Sequence, residues 1–328
     1  MPTVPPVPEL GDSPLPPSIG MVARVREAAR RRPLVLIAIG VFCYSMGPVM
    51  VSASNVAGPV LSFYRLWFGV LAFGFLSAVH IRRTGRRPER AGLMWALKAG
   101  VAFGVHQLMF MTAIKATSVV DVTLMSSLSP VIVGVLAVPM FNERTGVPFR
   151  LWSAVAIAGS ALVVVAGSSG PDGDLGGMML AATNVFFFAL FFMFSKQGRE
   201  HIDVVPFLFG VMTVAAFTVS AFVVVTGEAV GSVDGESLLL AAGIAFVPGL
   251  VGHFVMTWPL RWVPANIPPV MRLATPFIAG LTAWALLGQT IGGAEVLAGL
   301  LTLAGVFGAV LSPAGRRLAE EAAVEMED

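Results

Sequence analysis

Charge is what this chain has least of. Of its 328 residues, 12% are Asp, Glu, Lys or Arg, where a soluble globular domain carries about 25%. That deficit excludes an ordinary water-soluble fold. Cysteine is almost absent too. The lone Cys43 excludes an internal disulfide, and within an apolar run a free thiol behaves as a small hydrophobe. Histidine is scarce: four residues, dispersed, give no metal-ligand spacing. There is no H-E-x-x-H and no G-x-S-x-G nucleophile turn. The glycine-rich stretch GSSGPDGDLGG lacks the Lys-Ser/Thr of a phosphate loop, which removes a nucleotide-driven pump. A net charge of +2 gives no footprint for nucleic acid. No cofactor and no metal is expected.

What is present in excess is apolar sequence. Hydrophobic residues make up 56% of the chain, and its mean hydropathy is +0.83. Apolar runs of about 18 residues or more read as membrane-spanning helices. Such runs fall at about 33–53, 59–79, 92–114, 119–140, 150–168, 176–196, 204–225, 237–258, 265–288 and 293–312. The expected fold class is an all-α membrane protein with ten transmembrane helices. Residues 1–32, proline-rich and then basic, read as a disordered tail and flank, and residues 313–328 as a second tail.

Basic residues set the orientation. ARVREAARRRP precedes the first run and HIRRTGRRPER follows the second, and alternation puts both on one side with Arg144, Arg150, Lys196, Arg199, Arg261, Arg316 and Arg317. The other side receives Lys115 and the acidic loops SSGPDGDLG and TGEAVGSVDGES. The positive-inside rule then places both termini in the cytoplasm, in the plasma (inner) membrane.

A repeat organises the runs. Pro130 and Pro276 are 146 residues apart, and the same offset pairs Lys115 with Arg261, Glu143 with Gln289, and Ala158-Gly159 with Ala304-Gly305. Upstream, VFCYS at Val41 pairs with VFFFA at Val185 at an offset of 144. The halves are therefore 33–168 and 177–312, five spans each. An odd number inverts the second half relative to the first, and in inverted repeats the substrate site lies at the midplane between the halves. Both prolines are expected midway along their spans, the fourth and the ninth. A helix broken there needs protein or a water-filled cavity to satisfy its freed carbonyls.

The stretch AIKATSVVDVTLMSSLSPVIVGVLAVPMFNERTGVPFRLWSAVAIAGSALVVVAG, with Pro130, the Glu143-Arg144 turn and the small-residue run Ala154 to Gly159, resembles the end of an EamA domain of the drug/metabolite transporter superfamily. VLSFYRLWFGVLAF, with Arg65, is similar to that family's second span. The resemblance covers about 33–312 and departs at Gln289, where the family has a glutamate. It implies ten helices around a cavity that moves small metabolites by alternating access.

Polar groups inside a membrane are costly, so they are the candidates for the site. His106 and His253 fall at corresponding places in the third and eighth spans, each after helix-weakening residues: Gly100 and Gly104, and Pro248-Gly249 and Gly252. They are the only side chains there whose ordinary pKa, about 6.5, lies near neutrality. No carboxylate lies near the midplane of any span. Arg272 lies four residues before Pro276, on the same helical face; snorkelling toward the cytoplasm is its competing reading. Tyr44, Gln107, Ser129 and Asn184 complete the expected lining, with Pro130 and Pro276. Arg65 reads as structural, Lys98 as snorkelling, and Asp121 as a helix-start acid. The small residues at Ala154/Ala158 and Ala294/Ala298 pack spans five and ten against each other, or against a second copy in a homodimer. The expected function is a secondary transporter exporting a small metabolite such as an amino acid or related compound. A membrane-embedded enzyme or a receptor using the histidines is the alternative. The partners expected are the small-molecule substrate and lipid, without nucleic acid.

Overall fold

The computed structural model describes residues 33–85, 88–129, 131–132, 135–136, 146–168, 174–199, 201–231, 233–252 and 272–313. Pro130, Glu143, Arg144 and His253 lie outside the described residues. Within them the chain is helical, with no strand. The helices are α1 (Pro33–Ala53), α2 (Gly58–Thr84), α3 (Arg90–Ala116), α4 (Val119–Ser126), α5 (Val147–Ser168), α6 (Leu175–Arg199), α7 (Val204–Thr226), α8 (Gly235–Ile244), α9 (Thr275–Leu287) and α10 (Gly293–Leu311). A π-helix, Ala245–Gly252, prolongs α8. Among the described residues, six helical segments are long and apolar enough to cross a membrane: Gly58–Thr84, Arg90–Ala116, Val147–Ala166, Leu175–Ser195, Val204–Thr226 and Gly235–Gly252. α1, α9 and α10 add shorter apolar helices.

The outward faces confirm the solvent. Phe75, Leu239, Val225 and Leu297 are each at least 71% exposed. So much outward apolar surface is untenable in water but is matched by lipid chains. The protein is an integral membrane protein.

Packing partners come in exchanged sets. α5 packs on α10, α2 on α7 and α4 on α9, each helix meeting its counterpart in the other half. α3 packs on α6, and the mirror pairing of α1 with α8 and its π-helix is also present. Likewise α9 on α1 answers α4 on α6. Two similar five-helix units related by a twofold would produce this pattern.

Glycine decides how closely these pairs approach. A Cβ at Gly305 would lie 2.3 Å from the Ala156 backbone nitrogen, and one at Gly159 would lie 2.5 Å from that of Thr302. α5 and α10 therefore touch backbone to backbone. The small-residue reading named the right pair of helices, and Ala298 of its four residues is buried. Ala154 and Ala158 face outward, while Ser153, Ala156, Gly159 and Ser160 are buried. Gly100 and Gly104 also act otherwise than expected. They do not weaken α3, which is continuous; they make room for Val214 and Thr218 of α7.

The 146-residue repeat is visible in the backbone. α4 ends at Ser126, two turn residues follow, and helical geometry returns at Ser129; Arg272, the turn Leu273-Ala274 and Thr275 reproduce that sequence. Ser127 N–H reaches back to both Thr123 and Leu124, and Leu128 N–H to Met125, which marks a tightened last turn. The second proline thus stands elsewhere than expected. Pro276 does not kink a continuous helix; it occupies the first turn of α9, after Ala274. A proline there sacrifices no hydrogen bond, because the first N–H groups of a helix have no intrahelical acceptor.

One end of the bundle is tied by polar contacts. Gln289, in the α9–α10 turn, accepts from Val119 N–H at 3.1 Å and donates to Ser52 Oγ at 3.1 Å. The departure from glutamate therefore supplies both a donor and an acceptor. Ser237 at the start of α8 accepts from Asn55 N–H (3.2 Å) and Ser54 Oγ (3.4 Å), and Lys115 donates to the Ser54 carbonyl. Asp121 is the helix-start acid expected: Ser118 caps α4 by accepting from Asp121 N–H and donates to its carboxylate at 2.6 Å.

Candidate functional site: a cavity between the halves

At the level of the two helix breaks a cavity opens inside the bundle. It offers about 100 Å³ to the centres of water molecules, room for several waters. Its wall combines α1, α2, α3, α4, α6, the π-helix and the segment opening α9. Five of the sequence-derived candidates besides His106 line it: Tyr44, Gln107, Ser129, Asn184 and Arg272. Pro276 does not join them. It lines an apolar groove with Val120, Leu124 and Trp284, while its neighbour Thr275 faces the cavity. The turn at Leu273-Ala274 sends Arg272 and Pro276 to different sides, where an unbroken helix would stack them on one face.

The repeat reappears in the lining. Ser126 and Ser129 from the first half, and Arg272 and Thr275 from the second, hold matching places 146 residues apart, and all four face the cavity. Pro48 of α1 and Pro248 of the π-helix add two further backbone interruptions to the wall. Polar backbone of this kind is tolerated at membrane depth where it borders a cavity, and π-helical turns concentrate at functional sites.

His106 sits in an aromatic box. Its ring centroid is 4.9 Å from Phe188, 5.6 Å from Phe103 and 5.7 Å from Phe110. The residue is buried, and the Asn184 amide of α6, also buried, lies beside it as its polar neighbour. Thr275 Oγ1 is a polar atom left open in this wall.

The same rings carry two cations. The Arg272 guanidinium lies 5.1 Å from the Tyr44 ring and 5.3 Å from Phe188. That of Arg65 lies 5.4 Å from Phe103. Phe188, His106 and Phe103 thus form a ring chain with one guanidinium at each end. Cation–π contacts of this length attract a guanidinium without using up its N–H donors. Arg65 is only 6% exposed, yet its Nη1 has no acceptor among the described residues. From sequence Arg65 reads as structural; the structure places it in the cavity wall. Lys98, by contrast, is exposed, with its Nζ 4.3 Å from the Trp95 ring, and takes no part in the site.

The model of the EamA-like transporter family matches twice, over residues 31–165 and 175–311. The chain belongs to the EamA-like transporter family. Its two EamA repeats correspond to the two sets of packed helices and to the matched lining positions. An uncharacterized transporter of Archaeoglobus fulgidus is 28% identical over 264 residues, covering 80% of this chain and 90% of that protein. A protein of known crystal structure shares the fold along 88% of this chain and 99% of its own, with a TM-score of 0.57 and 17% identity. Family and fold together make the chain a membrane transporter of EamA type.

Proposed function

We propose that this EamA transporter is a secondary transporter that exports a small metabolite, such as an amino acid or related compound, by alternating access through the cavity. The proposed frame is ten spans in two inverted repeats, 33–168 and 177–312, with both termini cytoplasmic in the plasma (inner) membrane. The observation that carries this reading is the matched lining: Ser126 with Arg272 and Ser129 with Thr275, each at a helix break, each from a different half. A site built equally from both repeats can be exposed to one side and then the other by rocking one half against its mate. The tie of Gln289, Ser54, Lys115 and Ser237 then closes the outer end, because the arginine-rich flanks lie at the other. Reporter fusions after Arg90 and after Asp234 should report opposite sides of the membrane; agreement between them would remove the proposed topology.

His106 is assigned to substrate contact. Its ring and the neighbouring Asn184 amide both face the cavity, where a ligand can take the hydrogen bonds they otherwise offer each other. An enzyme reading would need the ring oriented by an acid or paired with a nucleophile, and rings surround it instead. His106→Gln keeps hydrogen bonding but changes its geometry. Transport in proteoliposomes should fall about three- to tenfold, the worth of one hydrogen bond, with melting temperature unchanged. The equivalent change at His253, outside the described residues, is expected to act in the same direction. Wild-type rates in both single variants and in the double variant would remove the histidines from the site.

A further inference from the structure

Among the described residues the cavity wall carries two guanidiniums, Arg65 and Arg272, and no Asp or Glu. The undescribed stretch leading to Arg272, residues 253–271, contains none in its sequence either. We infer that the transported compound is an organic anion, whose oxyanion group is held between the Arg65 and Arg272 guanidiniums. The inference rests on the transporter reading above and, among the small metabolites it allows, selects those of net negative charge over zwitterionic amino acids.

Cations at membrane depth are stable where they are paired or solvated. A cavity of this size has room for water to solvate them. A substrate that displaces the water must replace its hydrogen bonds, and the charge of the arriving group decides whether it can. A carboxylate or phosphate accepts two parallel bonds from a guanidinium edge and removes positive charge at the same time. Arg65 Nη1 is available for this, since it has no acceptor among the described residues, and Arg272 faces the same cavity beside the Tyr44 and Phe188 rings. A zwitterion brings one compensating charge together with an ammonium that meets no acid. A cation adds a third positive charge to the same volume. The remainder of the wall, with Val51, Met111, Phe110 and Val185, suits a compact apolar body attached to the anionic head.

The test uses the purified full chain in proteoliposomes, with binding and uptake measured for lactate, succinate, glycerol 3-phosphate, alanine and putrescine. The expected result is saturable binding and uptake of one or more of the three anions, without alanine or putrescine. The carboxylates and the phosphomonoester separate the two sources of an oxyanion. Arg65→Gln and Arg272→Gln should each weaken apparent affinity for the anion about ten- to hundredfold, as loss of a charge-assisted hydrogen bond predicts. Arg272→Lys, which keeps the charge but loses the fork, should weaken it less. Should the buried Arg65→Gln variant fail to fold, the half-buried Arg272→Gln and Arg272→Lys pair decides the matter. Uptake of alanine or putrescine, and of no anion, overturns the inference while leaving a transporter. Binding of an anion without uptake upholds the oxyanion site between the two guanidiniums and overturns the transport reading. Absence of both binding and uptake for all three anions, or anion affinity unchanged in every arginine variant, overturns the inference.

Discussion

Ser126→Trp should abolish transport while leaving a folded protein. Ser126 faces the cavity at the first helix break, is half-buried, and uses its hydroxyl only on the Val122 carbonyl at 2.8 Å. Removing that local bond costs little, since back-bonding hydroxyls of this kind do not stabilise a helix. An indole placed there enters a space of about 100 Å³ open to water centres, so it fills the site without meeting packed core. Uptake should drop to background, and the melting temperature should stay within a few degrees of wild type. Ser126→Ala, which leaves the space open, should transport normally. A fully active Ser126→Trp protein would mean that the substrate does not pass this cavity.

The second large effect is expected far from the cavity. Gly305→Leu should unfold the pairing of α5 with α10. The added Cβ would lie 2.3 Å from Ala156 N and 2.6 Å from Ala156 Cα, both backbone atoms. Rotamer change cannot relieve such a clash, so the helices must separate. Overpacking typically costs about 1–3 kcal/mol, and a backbone obstacle places this case at the upper end, about 3 kcal/mol. Detergent-solubilised protein should melt well below wild type and elute partly as aggregate. Gly293→Leu, where a Cβ meets nothing, is the matched control and should leave melting unchanged. Equal melting of the two variants would show that α5 and α10 do not meet in this register.

The helices were largely legible in the sequence, because the signal for them is the simplest available. In lipid every backbone group must be bonded within its own segment, so a span announces itself as an uninterrupted apolar run. The first such run, 33–53, is α1 with the same bounds. The repeat was legible for a similar reason: a constant offset of 146 between unusual residues survives when their surroundings diverge, and the backbone turn at Ser127-Leu128 recurs at that offset. Side-chain direction was not legible. Whether Pro276 faces the cavity depends on a turn at Leu273-Ala274 that rotates everything after it, and no periodicity reports such a break in advance. Gly100 and Gly104 show the same limit. A glycine in a span reads equally as a weak point or as a place of close approach, and only the presence of Val214 and Thr218 opposite decides. Arg65 reads from sequence as structural, because a buried cation has two explanations, a hidden partner or a vacant duty. Its place in the cavity wall, with Nη1 lacking an acceptor among the described residues, appears only once the surrounding side chains are placed.

The central claim is that one cavity, walled by both halves, is reached by water from the two membrane faces in turn. Cysteine accessibility tests it most directly. Ser129→Cys and Thr275→Cys, each in a Cys43→Ala background that removes the chain's lone thiol, place a thiol on matching positions of the two repeats, both in the cavity wall. Both should react with a small, membrane-impermeant, polar thiol reagent, applied in turn to each face of oriented vesicles. Adding Ser126→Trp should slow both reactions about tenfold or more, since exclusion of reagent from a filled site acts on every wall position. A result in which neither thiol reacts from either face would contradict the account, because it would leave these positions packed in protein or facing lipid.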